Sequence, residues 1–320
     1  MRNAFVDTLC ELAANDKNIY LLAGDLGFGV LNKFSDAYPE NFINAGIAEQ
    51  NMSAVAAGLA LEGNTVFTYS MANFSTLRCL EQVRNCIAHS LANVKIVGIG
   101  AGMAYGGTLG MTHHATEDLS VMRAIPNMTI FSPADAYESV AVTKSAYKID
   151  TPCYIRLGKG REPLIHRDKI ENYKIGKSIK IFDGSDCAIF STGSISYEAL
   201  KAAEKLNAEN IGTAFFTFPT VKPIDTDVIK SYAKNCNMIV TVEENNIIGG
   251  FGSAVAEIIS GLKGQKAFLK RVGINDEFTN IVGNHDYLKD YYKLKEDYIF
   301  DMVYSEFNTT KKRGGRESTF

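Results

Sequence analysis

Three groups of residues in this 320-residue sequence could do chemistry. The string Ala-Gly-Ile-Ala-Glu-Gln-Asn-Met at 45–52 places a single carboxylate, Glu49, between a short strand expected at Phe42–Asn44 and an Ala-rich helix expected at Glu49–Leu61. Backbone N–H groups and the helix dipole favour an anion at such a turn, where a lone glutamate is ordinarily a first-turn cap. Downstream, residues 65–83 carry Phe67, Tyr69 and Phe74. These are ordinary core or loop aromatics unless a flat ligand ring lies nearby, in which case offset stacking adds ~1 kcal/mol beyond burial. A Gly-rich loop then runs through residues 98–119 and ends Leu-Gly-Met-Thr-His-His-Ala-Thr-Glu-Asp-Leu. Its glycines permit close backbone approach to a ligand. His113 and His114 ahead of Glu117 and Asp118 invite a metal reading, but their spacing fits no helical or finger-type zinc pattern.

The elements that must position these residues alternate. Strands are expected at Ile19–Ala23, 65–69, Val94–Ile99, 128–131 and Cys153–Leu157, with helices at 4–14, 76–88, Asp118–Ala124 and Ala136–Tyr147. Short apolar runs such as Val-Lys-Ile-Val at 94–97 suit parallel strands buried on both faces. After a polar linker the alternation restarts, with strands at 178–182, Cys187–Ser191, 212–218, 238–242 and 267–272 and helices at 197–206, 226–233 and 253–262. The fold class expected is α/β, two doubly wound, mostly parallel-sheet domains at 1–160 and 177–308, a linker at 161–176 and a disordered basic tail at 309–320. A net charge of -3 and the lack of a long apolar run point to no nucleic acid and no membrane as partner. Six scattered cysteines without a C-x-x-C pair read as reduced, in a cytoplasmic protein.

The Glu49 string, together with Gly-Met-Thr-His-His at 110–114, Met-Arg-Ala-Ile-Pro-Asn at 122–127 and Ser-Pro-Ala-Asp at 132–135, resembles the transketolase family of thiamine-diphosphate enzymes. The resemblance covers nearly the whole chain. It implies that Glu49 activates the cofactor by hydrogen bonding to its pyrimidine, and that Tyr69 stacks on the aminopyrimidine ring, with Val66 as an apolar wall. That register follows from setting Arg78 against the family's arginine. His113 takes the place of the histidine that faces the substrate and the reacting carbon, and His114 that of a glutamine. Asp25, in Asp-Leu-Gly, matches an aspartate that supports the subunit interface near the cofactor. Arg2 and Arg156 fall where family members place substrate arginines, whose guanidinium forks suit a sugar phosphate. The family's phosphate-binding serine and histidine fall on Gly29 and Ala101, which departs from phosphate recognition. The segment from Val242 to Val255 resembles the C-terminal signature, where glycines allow a tight strand-to-helix turn.

Family members bind Mg²⁺ and the diphosphate through a G-D-G…N segment that is missing from this sequence, and this chain supplies no metal ligand in its place. The resemblance therefore implies the C-terminal subunit of a split transketolase, moving a two-carbon ketol unit from a ketose to an aldose. Thiamine diphosphate would be shared with an N-terminal subunit that holds the Mg²⁺ in an α2β2-type assembly acting on sugars or sugar phosphates. The alternatives are the β subunit of a 2-oxo acid dehydrogenase, which has a similar Gly-Ile-Ala-Glu-Gln string, or a non-catalytic paralogue.

Overall fold

The computed structural model describes residues 1–107 and 109–314, with side chains to residue 308. Six parallel strands, β1 (Ile19–Ala23), β2 (Phe42–Asn44), β3 (Thr65–Met71), β4 (Val94–Ile99), β5 (Thr129–Phe131) and β6 (Cys153–Leu157), build most of one sheet. They are followed by β7 (Ile179–Phe182), β8 (Cys187–Ser191), β9 (Thr213–Thr217), β10 (Thr220–Lys222), β11 (Met238–Asn246) and β12 (Phe268–Ile274). The two sheet orders are β10-β5-β6-β4-β3-β1-β2 and β12-β11-β8-β9-β7. The short strand β10, which the alternation pattern did not signal, leaves the second half of the chain and pairs antiparallel with β5, so the first sheet contains a strand from each half. At the far edge of the second sheet β7 runs antiparallel to β9; its other pairs are parallel.

The helices are α1 (Arg2–Ala13), α2 (Asn32–Ala37), α3 (Glu49–Leu61), α4 (Ala72–Thr76), α5 (Leu80–Gln82), α6 (Asp118–Ala124), α7 (Ala136–Tyr147), α8 (Ser196–Ala208), α9 (Thr226–Asn235), α10 (Phe251–Ser260), α11 (His285–Tyr291) and α12 (Glu296–Gly314). On one face of the first sheet α1, through Phe5, and α7 cover Phe67, Val97 and Ile155. On the other, Met52 of α3 joins Val66 and Val94 in a core that continues without a break into Phe190, Phe218 and Phe251 of the second half. The halves are thus joined through apolar packing as well as through β10.

Two expectations change. The single helix expected over 76–88 is broken into α4, α5 and a π-helical turn at Val83–Ala88. The tail expected from residue 309 does not begin there: α12 runs to Gly314, because Ile299, Val303 and Phe307, spaced four apart, bury one stripe against α8. Residues 315–320, the rest of that expected tail, lie outside the described residues. At the C-terminal signature the Glu243 carboxylate accepts the Phe251 and Gly252 N–H groups, both at 2.7 Å, and caps α10. A Cβ on Gly250 would fall 2.1 Å from Glu243 Oε2, so the glycine there is a steric requirement. Among the described residues no helix is long and apolar enough to cross a membrane.

Candidate active site

Glu49, Ser70, Asp25 and the Gly-rich loop all lie at or just beyond the C-terminal ends of the parallel strands, the edge where open α/β sheets bind ligands. Glu49 opens α3 and is 1% exposed. Its Oε2 accepts from Arg78 Nη1 at 2.7 Å and its Oε1 from Ser70 Oγ at 3.1 Å. Ser70 comes from the end of β3 and Arg78 from beyond α4, so three elements fix one carboxylate. The fit is close: a Cβ on Gly24, after β1, would stand 3.3 Å from Glu49 Cγ and 3.1 Å from Ser70 Oγ. Nearby, Asp25 is held at φ 51° and accepts from Asn44 Nδ2 at 3.0 Å, tying the ends of β1 and β2 together.

The aromatic of this group is Phe74. Its half-buried ring lies 3.9 Å from the Arg78 guanidinium carbon and 5.2 Å from the His113 ring, in an edge-to-face arrangement. The same arginine therefore pairs with the buried carboxylate and covers a ring face. Tyr69, expected as the stacking residue, is fully buried on the opposite side of β3 and stacks on Phe5 of α1 at 6.2 Å. Burial pushes its phenol well above the ordinary range. No face of Tyr69 is open to a ligand. Val66, the expected apolar wall, sits at the start of β3 inside the core with Met52 and Val94, a whole strand length from the site edge. Strand alternation explains both: residues 67 and 69 point to the α1 face, 66 to the α3 face.

The two adjacent histidines part company. His113 stays at the site, half-buried, with Nδ1 in a 3.0 Å contact with Thr112 Oγ1, and Asn73 Nδ2 donates to the Thr112 carbonyl, tying the loop to α4. His114 turns into the junction between the halves, where Nδ1 pairs with Thr279 Oγ1 at 2.6 Å and Nε2 is buried without a partner. Burial lowers its pKa. It is a junction residue, not a substrate contact.

The two expected substrate arginines also differ. Arg156 is 2% exposed and fully engaged: Nε donates to Asp118 Oδ2 at 2.8 Å, and Nη2 to Asp118 Oδ1, the Ala115 carbonyl and the Glu244 carbonyl. Tyr154 donates to the same carboxylate at 2.6 Å. Withdrawing Arg156 toward a ligand would strand a buried charge, a cost of about 3–5 kcal/mol, so its role is to hold the Gly-rich loop and the second half together. Arg2 remains available. It opens α1 beside the phenols of Tyr69 and Tyr105, its Nε is buried without an acceptor, and it lines a cavity of about 540 Å³ with Lys159 and Arg161.

These residues fit the pyrimidine half of thiamine diphosphate. A fixed buried carboxylate can accept from the ring system, Phe74 offers an aromatic surface, and Gly24 leaves the narrow approach open. Among the described residues no three His, Cys, Asp or Glu side chains gather as a metal site.

Residues 1–163 match the family "Transketolase, pyrimidine binding domain" and residues 176–299 match "Transketolase, C-terminal domain". The chain is 35% identical to an apulose-4-phosphate transketolase subunit of Phocaeicola vulgatus, covering 93% of this chain and 94% of that one. It is 38% identical to a 6-deoxy-6-sulfo-D-fructose transketolase subunit of a Clostridium species, covering 92% and 90%. A solved split-gene transketolase, described as an inactive β4 tetramer, superposes with a TM-score of 0.87 at 35% identity, covering 96% of this chain and 98% of the other.

Proposed function

The chain belongs to the transketolase family, and from that membership we propose that it is the C-terminal subunit of a split, thiamine-diphosphate-dependent transketolase. It would move a two-carbon ketol unit from a ketose to an aldose once joined by a subunit that holds Mg²⁺ and the diphosphate. The observation that carries this reading is Glu49, buried and clamped by Arg78 and Ser70 beside the Phe74 ring. The names of the two relatives support the division of labour, since each is a transketolase subunit of this length. The same names put this reading ahead of 2-oxo acid decarboxylation.

Bound thiamine diphosphate supplies the nucleophilic carbon that carries the ketol unit. Glu49 presents a fixed acceptor to the pyrimidine; each carboxylate oxygen has a lone pair beyond the one used by Ser70 or Arg78. Arg78 balances its charge and orients it. His113, with Nδ1 occupied by Thr112, keeps Nε2 for a substrate oxygen as charge develops there. Asp25 acts by holding the strand ends on which Glu49 stands. With Arg156 engaged elsewhere and no polar side chain at Gly29 or Ala101, Arg2 is the candidate for a charged end of the sugar.

The test is Glu49→Gln assayed with the partner subunit, cofactor and Mg²⁺. Loss of a group that controls proton transfer is expected to lower kcat by roughly 10²–10⁴-fold with the melting temperature little changed, because Arg78 is 42% exposed and can be hydrated. Turnover near that of the wild type would overturn the assignment.

A further inference from the structure

The Gly-rich loop that brings His113 to the site is tied to the second half of the chain at three points. The Met103 N–H donates to Glu244 Oε1 at 2.7 Å, the Gly107 N–H to the Gly283 carbonyl, and His114 Nδ1 pairs with Thr279 Oγ1 at 2.6 Å. Glu244, near the end of β11, is 2% exposed and packs directly on the loop backbone: a Cβ on Gly102 would fall 2.4 Å from its Cδ. Gly102 pairs in turn with Ala115 through backbone hydrogen bonds of 3.1 and 2.8 Å, so the carboxylate sits where the two arms of the loop meet. Among the described residues one side chain hydrogen-bonds to that carboxylate, His285 of α11, whose Nε2 lies 2.7 Å from Oε1; Oε2 is buried without a partner. A buried carboxylate so placed depends on the charge of its partner. The His285 side chain is 31% exposed and lines a cleft of about 680 Å³ between the two halves, where bulk protons reach it.

We infer that the Glu244–His285 pair is a latch that positions His113, holding the Gly-rich loop while His285 carries its proton and loosening it when that proton leaves. The role of His113 rests on the transketolase reading; the latch itself does not. The charged groups around the ring divide. Glu244 of β11 and Asp286 of α11 favour the imidazolium, whereas Lys289 of α11 and His114 of the loop oppose it. Lys289 is itself held by Glu198 at 2.5 Å and Asp286 at 3.3 Å, and Arg156 of β6, behind Glu244, is paired with Asp118. Across the cleft Lys201 of α8 is bound by Glu198 and Glu296, Glu162 by the N-terminal ammonium, and Lys159 and Arg161 complete the charged set from the loop after β6. Burial opposes a charge on His285, but Glu244 in direct contact outweighs it and raises the pKa above the ordinary 6.5. The latch is therefore closed at pH 5.5 and opens as pH rises through that higher value.

Hydrogen exchange of the free chain, followed by mass spectrometry, reads the loop without partner or cofactor. Corrected for the intrinsic rate, protection of the amides at 101–107 should fall by about tenfold between pH 5.5 and pH 9 in the wild type, as for the loss of one charge-assisted hydrogen bond. In His285→Gln it should be low at both pH values. In the assembled enzyme with thiamine diphosphate and Mg²⁺, His285→Gln and Glu244→Gln should each lower kcat for ketol transfer by about tenfold at pH 5.5 through misplacement of His113. Affinity for thiamine diphosphate should be unchanged, since Glu49 and Arg78 stand on other elements, and the His285→Gln deficit should narrow toward pH 9. Melting temperatures confirm that each variant folds. Loop protection equal in wild type and His285→Gln, a kcat deficit independent of pH, or a cofactor affinity that falls along with kcat would each overturn the proposal. A wild-type assembly without ketol transfer would instead overturn the transketolase reading, and with it the role of His113, while the exchange result would still decide the latch.

Discussion

Arg78 links the two functions that the site asks of its side chains. Its guanidinium is 2.7 Å from the buried Glu49 carboxylate and 3.9 Å from the Phe74 ring, and Phe74 in turn meets His113. Phe74 and Arg78 stand four residues apart, the spacing at which side chains meet on a helical turn. That spacing is visible in the sequence and marks Phe74 over Tyr69. An alignment anchored on Arg78 alone misses it, because β3 continues to Met71 and alternation sends Tyr69 into the α1 core. Glu49, by contrast, was legible from its string, since a carboxylate opening an Ala-rich helix after a strand can stand in few places. Phe74→Ala is expected to weaken thiamine diphosphate binding to the assembled enzyme by roughly tenfold through lost stacking and area. Tyr69→Phe should leave it unchanged, as its ring is buried against Phe5 in the α1 core, away from the site. Equal effects of the two changes, measured by cofactor titration, would return Tyr69 to the site.

Elements with a clean period were readable: α3, α6 and α7 fall on their expected residues, and so do the fully buried strands β4, β6 and β8. Those that depend on tertiary contact were not. The three residues of β10 carry no period and are a strand only because the edge of β5 lies alongside. The stretch 76–88 is apolar enough for one helix, yet its register breaks at Cys79 and closes as a π turn. Contacts from α11 also set the junction. His285 Nε2 pairs with Glu244 Oε1 at 2.7 Å, and the same oxygen accepts the Met103 N–H of the Gly-rich loop. Burial opposes a charge on His285, but the Glu244 carboxylate outweighs it and raises the pKa above the ordinary 6.5. A raised folded value means that the stabilisation is full below about pH 6.5 and is lost as pH rises through that higher value. Against His285→Gln, the wild type should be more stable by roughly 1–2 kcal/mol at pH 5.5, and the gap should narrow toward pH 9. Denaturant melts at both pH values measure it; a gap independent of pH would mean that the histidine is held neutral.

At the scale of the whole molecule, the edge that carries the candidate site leaves large apolar side chains uncovered. Phe28 and Ile47, in the loops after β1 and β2 at the same end of the sheet as Glu49, are 82% and 77% exposed. Large apolar side chains clustered at a functional edge mark a surface that another chain covers. On the proposed function that chain is the subunit that would hold the Mg²⁺ and diphosphate, and the expectation of such a subunit was legible in the sequence. The apolar rim beside Glu49 was not, since exposure is a property of the folded surface. A charge placed there should break the assembly without disturbing the fold, because neither side chain contributes to a core. Ile47→Asp and Phe28→Asp are therefore expected to melt like the wild type on their own but to bind the partner subunit about 100-fold more weakly, as for a central apolar contact. Activity should be lost at low subunit concentration and recovered at high. Sedimentation of the mixed subunits with a parallel ketol-transfer assay reads both. An intact, fully active complex of either variant would show that the partner approaches from another side, and that the rim serves self-association of this chain instead.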